Sequence, residues 1–265
     1  RYVLMNKIYD VETSNLNFST NSNKGIGKAI AEILLKTPSS KVVIVARSQA
    51  PLESFQKQHG SDRVAFVAGD ITDPATSNIA VETAISKFGQ LNAVIANAGV
   101  LDPIGPIENT SVDQWKQLYD INVFSVVELI KHSLPHLKKT NGKVIGVSSI
   151  AAFTAFNGWY AYGSSKAALN HLMYSLASEE KEIQAIAVAP GVVDTEMQND
   201  IREKFGKNMK EEALQQFVDL HKNEKLVSPE EPGTVYANLA LKGWSEDLNG
   251  KYLDFDDALL KDYQL

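Results

Sequence analysis

The chain of 265 residues is 44% hydrophobic and 22% charged, enough to build one domain around a large core. Its net charge of −6 and pI near 5.4 argue against a nucleic-acid surface, which is normally basic. No run approaches the roughly 18 apolar residues of a membrane span, and the absence of cysteine removes disulfide and thiolate chemistry.

The N-terminus "RYVLMNKIYD" carries an apolar stretch too short for the core of a signal peptide, so a cytoplasmic protein is expected. Residues 12–19, "ETSNLNFS", alternate Leu16 and Phe18 with polar neighbours. That is the pattern of a half-exposed strand. A central parallel strand should be apolar on both faces. The apolar "YVLM" (2–5) lies too far upstream to feed the next segment directly. The first strand, somewhere in residues 1–20, is therefore expected to be distorted, displaced or rebuilt. Next comes "TNSNKGIGKAI" (20–30), the pattern of a phosphate-cradling loop that runs into a helix over 26–36. Asn21 occupies the place where such loops put their first glycine. Asparagine visits the left-handed region more readily than other residues with a Cβ, so the loop should be weakened rather than lost. Gly25 and Gly27 let the helix begin close to a sheet, with Ile26 between them and free amides facing an anion. Lys24 adds a cation beside them.

Continuous Val/Ile/Ala runs at 41–47, 63–69, 91–99, 142–149 and 183–191 read as buried parallel strands. Helical stretches at 74–88, 111–138 and 160–180 alternate with them. This order predicts an α/β fold: one doubly wound domain over 1–265, a central parallel sheet with helices on both faces. Ligands in such sheets bind beyond the carboxyl ends of the strands. The residues there are Arg47, Gly69-Asp70, Asn97-Ala98-Gly99, Ser148-Ser149 and Pro190-Gly191. Each alone is ordinary turn chemistry; together they line one edge, where a long ligand could lie.

"YGSSK" places Tyr162 and Lys166 four apart, on one face of a helix. A neighbouring ammonium favours the phenolate, so the tyrosine is expected to titrate below its usual pH of ~10. Most Tyr/Lys pairs at this spacing are surface pairs, but Ser149 stands at a strand end nearby in sequence. Asn122, in "YDINVFS", falls within a predicted helix, where asparagine is unfavourable. It either has a side-chain role or bonds its own backbone.

At these positions the sequence resembles the short-chain dehydrogenases/reductases. "NKGIG" (23–27), "ANAG" (96–99), Asn122, "VSSIAA" (147–152), "YGSSK" (162–166) and "PGVVDTEM" (190–197) run in the family's order. The resemblance implies a Rossmann-like fold and a tetrad of Asn122, Ser149, Tyr162 and Lys166. Tyr162 would be the general acid in reduction, and Ser149 would polarise the carbonyl. Lys166 would tune the tyrosine and bind the nicotinamide ribose. Asn122 would support a water chain relaying protons to Lys166. It also implies that Asp70 and Ile71 frame the adenine, and that Val193 and Thr195 hold the carboxamide and pyrophosphate.

Enzymes that prefer NAD usually carry an acid at the end of the second strand. Here Ala46 is followed by Arg47, and Lys24 lies in the glycine loop. Two cations suit a 2′-phosphate, so NADPH is the expected cofactor. Within the family the chain resembles a fungal subgroup of benzil reductases and, more distantly, sepiapterin reductases, through "IANAGVL" (95–101), "AYGSSKAALNH" (161–171) and "LNGKYLDFDD" (248–257). That implies reduction of a diketone or aromatic ketone. Phe156, Trp159 and Met197 would meet such a substrate, with Phe153 and Tyr160 nearby. Alternatively these aromatics pack a core or an interface.

The family pairs its long helices across a two-fold axis. Val126, Val127, Ile130, Leu169, Leu172 and Leu176 would supply the contact in a homodimer or homotetramer. His132 and His136 have metal-ligand spacing, but Pro135 sits between them and no acidic or histidine partner is expected nearby, so no metal is expected. "NFST" and "NTS" match a glycan acceptor pattern without a secretory signal, and no G-x-S-x-G elbow points to a hydrolase. The competing function is a reductase-like module with an impaired cofactor loop, binding a ligand or partner with little turnover.

Overall fold

The computed structural model describes residues 2–6 and 25–264. Seven strands form one parallel sheet: β1 (Tyr2–Asn6), β2 (Lys41–Ala46), β3 (Val64–Ala68), β4 (Ala93–Ala96), β5 (Lys143–Val147), β6 (Gln184–Ala189) and β7 (Tyr252–Asp254). Their order is β3-β2-β1-β4-β5-β6-β7. The strand order reverses between β1 and β4, where open sheets of this kind bind ligands.

The first strand is the main departure from expectation. It is "YVLMN" itself, paired with β2 on one side (Leu4 opposite Val43) and β4 on the other (Leu4 opposite Val94). Val3, Leu4 and Met5 are buried. A strand between two others must be apolar on both faces. "YVLM" meets that requirement, and the alternating 12–19 segment, which lies outside the described residues, does not. Distance in sequence from the glycine loop was the wrong criterion.

Side chains alternate strictly across the sheet. Val3, Met5, Val42, Ile44, Ile95, Ile145, Ile186 and Val188 join one layer of core; Leu4, Val43, Val45, Val94, Val144 and Ala187 join the other. Helices α1 (Ile26–Leu35), α2 (Gln49–His59) and α9 (Glu230–Lys242) cover the first layer with Ile30, Leu34, Leu52, Phe55 and Tyr236. α1 and α9 meet at Gly233, where an added Cβ would stand 3.1 Å from the Ala29 Cβ. Helices α3 (Pro74–Phe88), α5 (Ser125–Leu137) and α6 (Tyr160–Glu179) cover the second layer.

Local signals set several helix ends. α3 starts where Asp73 accepts from the Ala75 amide at 2.9 Å with Pro74 in its first turn, and it stops at Gly89 with φ +84°. α4 (Val112–Tyr119) begins with a reciprocal Ser111–Gln114 capping box. The expected continuous helix 111–138 is instead α4, a widened π-helical turn at Asp120–Phe124, and α5. After β6 the chain forms α7 (Glu196–Asp200), two irregular turns and α8 (Glu211–Lys222).

The apolar surplus expected for helix pairing is smaller than the sequence suggests. Val126, Ile130, Leu169 and Leu176 are buried in the sheet-facing core and Leu172 packs against it; of the set only Val127 is exposed. Contrary to the expectation, His132 has an acidic neighbour, Glu128, 3.5 Å away one helical turn earlier; even so, no group of three or more metal-ligating side chains occurs among the described residues. No helix of the described chain is long and apolar enough to cross a membrane.

Candidate active site

One cleft opens at the carboxyl edge of the sheet. It runs from Gly25, Ile26 and Gly27 at the start of α1, past Asn97 and Gly99 after β4, to Ser149, Tyr162 and Lys166. Pro190, Gly191, Val193 and Thr195 after β6 form its far side, and Phe156, Trp159 and Met197 close one end. Fifteen positions separated by up to about 170 residues in sequence thus share one wall. Ala98 is buried beside it. Arg47 and Asp70 are exposed beyond the ends of β2 and β3, and Ile71 packs against the second core layer. The Asp70 carboxylate accepts from the Thr72 amide and hydroxyl at 2.9 and 2.8 Å, holding its loop as an Asx turn. Asn21 and Lys24 lie outside the described residues.

β5 ends at Val147, and Ser149 then caps a short 3₁₀ turn, its Oγ accepting from the Ala151 amide at 3.2 Å. That turn leans on the start of α6. Gly163 is needed there, because an added Cβ would meet the Ala151 carbonyl at 2.7 Å. The packing brings Ser149 to the Tyr162 hydroxyl, with which it is hydrogen-bonded. One helical turn on, Lys166 is buried, its Nζ donating to the Val147 carbonyl at 2.7 Å and lying 5.7 Å from the centre of the Tyr162 ring.

The tyrosine does not titrate as the Tyr/Lys spacing suggests. Burial pushes its pKa up to about 12, against a smaller downward pull from the Ser149 hydrogen bond. Removing a phenolate from water costs more than the neighbouring dipole returns. The phenol is therefore fully protonated at neutral pH, a proton donor in waiting.

Asn122 is fully buried in the π-helical turn. Its Oδ1 accepts from the Val100 amide at 2.8 Å, and its Nδ2 donates to the Val100 carbonyl at 2.9 Å and to Ser165 Oγ at 3.1 Å. It thereby ties the loop after β4 to α6 behind the cleft. An inserted turn of this kind often marks a functional position in a helix.

A model of the short-chain dehydrogenases matches residues 18–206. The chain belongs to that family. An uncharacterized oxidoreductase of Saccharomyces cerevisiae, YIR035C, is 47% identical over 246 residues, covering 92% of this chain and 96% of its own. Its crystal structure superposes with a TM-score of 0.93 at full coverage of both chains. The benzil reductase ((S)-benzoin forming) IRC24 of the same yeast is 41% identical over 251 residues, covering 91% and 95%. A cytoplasmic yeast protein of unknown function is 42% identical over the full length of both chains, with a TM-score of 0.81. The chain is thus an oxidoreductase of this family, close to benzil reductases.

Short-chain dehydrogenases work with nicotinamide dinucleotides, and the cleft fits one. Gly25, in extended conformation, gives α1 no side-chain cap, so the first-turn amides are available to a pyrophosphate. Gly99 lies on the floor of the cleft, where an added Cβ would stand 3.4 Å from Lys166 Nζ and 3.6 Å from Asn122 Oδ1. Gly191 takes φ +75° beside Phe255, whose ring an added Cβ would approach to 3.2 Å.

Part of the wall carries no signal in the sequence. Gln198, Ile201 and Phe217 also line the cleft, and Ser148 joins them from the strand end already singled out. Phe217 comes from α8 and stacks on Trp159 with ring centres 5.5 Å apart. Phe156 stacks on the same indole at 4.9 Å, and Trp159 meets Tyr162 edge-on at 5.6 Å. The amphipathic pattern of "EEALQQFVDLHK" signals a helix there, but not where its buried face would land.

Proposed function

We propose that the protein is an NADPH-dependent carbonyl reductase acting on ketones or diketones with apolar, often aromatic, substituents. The observation that carries this reading is the buried, protonated Tyr162 at the foot of an aromatic-walled cleft, hydrogen-bonded to Ser149 with Lys166 beneath it. Ser149 Oγ and the Tyr162 hydroxyl converge where a carbonyl oxygen can accept from both. Tyr162 releases its proton to that oxygen as the C–O bond becomes single. The Lys166 ammonium stabilises the phenolate left behind and takes part in its reprotonation. Bound NADPH would be held by the α1 amides, Lys166 and the Pro190–Thr195 turn, and supplies hydride to the carbonyl carbon. Phe156, Trp159, Phe217 and Met197 exclude water and favour an apolar substrate. Asn122 acts by fixing the Val100 loop. The similarity to a benzil reductase supports the diketone class.

A panel of benzil, other diketones, simple aryl ketones and a pterin ketone, followed by loss of NADPH absorbance, tests the reading. Turnover of the diketones and aryl ketones is expected. Tight NADPH binding with no carbonyl reduced anywhere in the panel would defeat it.

Arg47 supports the choice of NADPH. It stands exposed past β2, where Ala46 leaves no carboxylate to claim a ribose hydroxyl. Arg47→Asp removes a phosphate partner and adds a like charge. It should weaken NADPH by roughly 10- to 150-fold, the value of a charge-assisted contact, and leave NADH nearly unchanged. Equal losses for the two cofactors, measured by calorimetry, would show that Arg47 does not read the 2′-phosphate.

Assembly as a homodimer through α5 and α6 is part of the same reading. Val127 on α5 and Tyr174 on α6, with Phe124 in the turn just before α5, leave apolar surface exposed. Light scattering at micromolar concentration should give twice the chain mass or four times it.

A further inference from the structure

Helix α6 turns polar side chains toward the end of β5 at every fourth position: Tyr162, Lys166 and Asn170. Residues at this spacing lie along one face. Each engages one of three consecutive residues. The Tyr162 hydroxyl is hydrogen-bonded to Ser149, and Lys166 Nζ donates to the Val147 carbonyl at 2.7 Å. Asn170 Oδ1 accepts from the Ser148 hydroxyl at 2.5 Å. Tyr162 and Lys166 line the cleft, and Asn170 does not. The amide nitrogen of Asn170 is buried with no hydrogen-bond partner among the described residues. An unpaired buried donor is costly, and asparagine is a poor helix former. Only the oxygen of this side chain has a use in the structure, and that use is Ser148.

Ser148 is buried, and its amide donates to the Val188 carbonyl at 2.8 Å, which keeps it in register with β6. Ser149, the next residue, is extended, with φ −159° and ψ 149°. Successive side chains of an extended chain point to opposite sides. One hydroxyl of the adjacent pair therefore goes to Asn170 and the other to Tyr162, and a rotation of the first residue carries the second with it. The helix has little room to absorb such a movement. At Gly146 an added Cβ would stand 3.3 Å from the side chains of Leu169 and Met173.

We propose that Asn170 is a positioning residue for the reaction. By holding the Ser148 hydroxyl it fixes the Ser148–Ser149 peptide, and so keeps the Ser149 hydroxyl beside that of Tyr162, where both meet the carbonyl oxygen. It also commits the single hydroxyl proton of Ser148, so that Ser149 alone of the two serines donates to the substrate. Asn170 itself touches neither substrate nor cofactor. The inference rests on the carbonyl-reductase reading for what Ser149 does, and on the hydrogen bonds alone for where Ser149 is held.

The test uses Asn170→Leu, of similar volume and with no acceptor, and Ser148→Ala, which removes the donor, in the full chain with NADPH and benzil. Each should lower kcat by roughly 10- to 100-fold, the size of a misplaced transition-state donor, with KM for benzil and NADPH affinity little changed. The double variant should lose no more than either single one, because both remove the same bond. In a Ser149→Ala background Asn170→Leu should lower kcat no further, whereas a residue that only supported the fold would still do so. Crystal structures of the native protein and of Asn170→Leu read the placement without turnover: the Ser149–Tyr162 bond should be lost in the variant while Lys166 keeps the Val147 carbonyl. Native kcat in both single variants, an undiminished effect of Asn170→Leu in Ser149→Ala, or an intact Ser149–Tyr162 bond in the variant crystals would overturn the inference. Loss of that bond in the variant crystals, with no carbonyl of the panel reduced by the native protein, would instead defeat the reductase reading and leave the positioning in place.

Discussion

Tyr162→Phe is expected to lower carbonyl reduction by roughly 10²- to 10⁴-fold, the usual size of a general-acid contribution, with NADPH affinity preserved. The ring is held on its edge by Trp159 at 5.6 Å and the residue is buried, so phenylalanine keeps the packing and loses only the hydroxyl. Steady-state turnover together with calorimetric titration of NADPH separates the two effects. Near-wild-type turnover would remove Tyr162 from the mechanism.

The same group sets a pH dependence. Its pKa is pushed up to about 12 by burial, above the ordinary phenol value of about 10. In the reductive direction the proton must be present, so the rate should hold through neutral pH and fall as the phenol ionises under alkaline conditions. Stability follows the same sign. The folded state binds this proton more tightly than the unfolded chain does. The resulting stabilisation is complete below about pH 10 and is lost as pH rises through about 12. It is worth at most about 2–3 kcal/mol by linkage. Urea denaturation at stepwise alkaline pH should show the native protein losing stability faster than Tyr162→Phe.

Much of this was legible in the sequence because it rests on local rules. Continuous apolar runs gave five of the seven strands, and the helical stretch expected over 74–88 is α3 itself, Pro74–Phe88. The Tyr162/Lys166 pair followed from helical spacing. What failed depends on neighbours that one segment does not know about. "YVLM" looked too distant to be the central strand. Its place between β2 and β4 is decided by having apolar residues on both faces, and not by adjacency to the glycine loop. The direction of the Tyr162 shift went wrong because spacing shows the ammonium but not the burial that opposes it. Val126, Ile130, Leu169 and Leu176 seemed a surplus until the sheet used them. Trp159 and Phe217 stack although far apart in sequence, a contact no periodicity reveals.

Asn122→Leu should destabilise the fold by about 2–5 kcal/mol, and the reason is the set of bonds the asparagine makes. Both ends of its amide are used on the same backbone unit: Oδ1 takes the Val100 N–H at 2.8 Å, and Nδ2 reaches the Val100 carbonyl at 2.9 Å. Leucine has similar volume, so packing loss is minor. It leaves a peptide donor and a peptide acceptor unpaired beside the core, at about 1–3 kcal/mol each. Ser165 gives the control. It receives a third bond from Nδ2 at 3.1 Å and passes its own proton to the Tyr162 carbonyl at 2.7 Å. Ser165→Ala therefore removes one partner and leaves the Val100 bonds standing, at an expected cost of about 1 kcal/mol. Chemical denaturation of the two variants should separate them clearly. Equal and small losses would mean that the Val100 loop does not depend on Asn122. The site should feel the change as well. Val100 follows Gly99, whose Cα side faces Lys166 Nζ within ordinary contact distance. Once the loop is released, the floor on which the nicotinamide end of NADPH would rest is no longer fixed. NADPH affinity measured on the folded fraction of Asn122→Leu should fall, and that of Ser165→Ala should not.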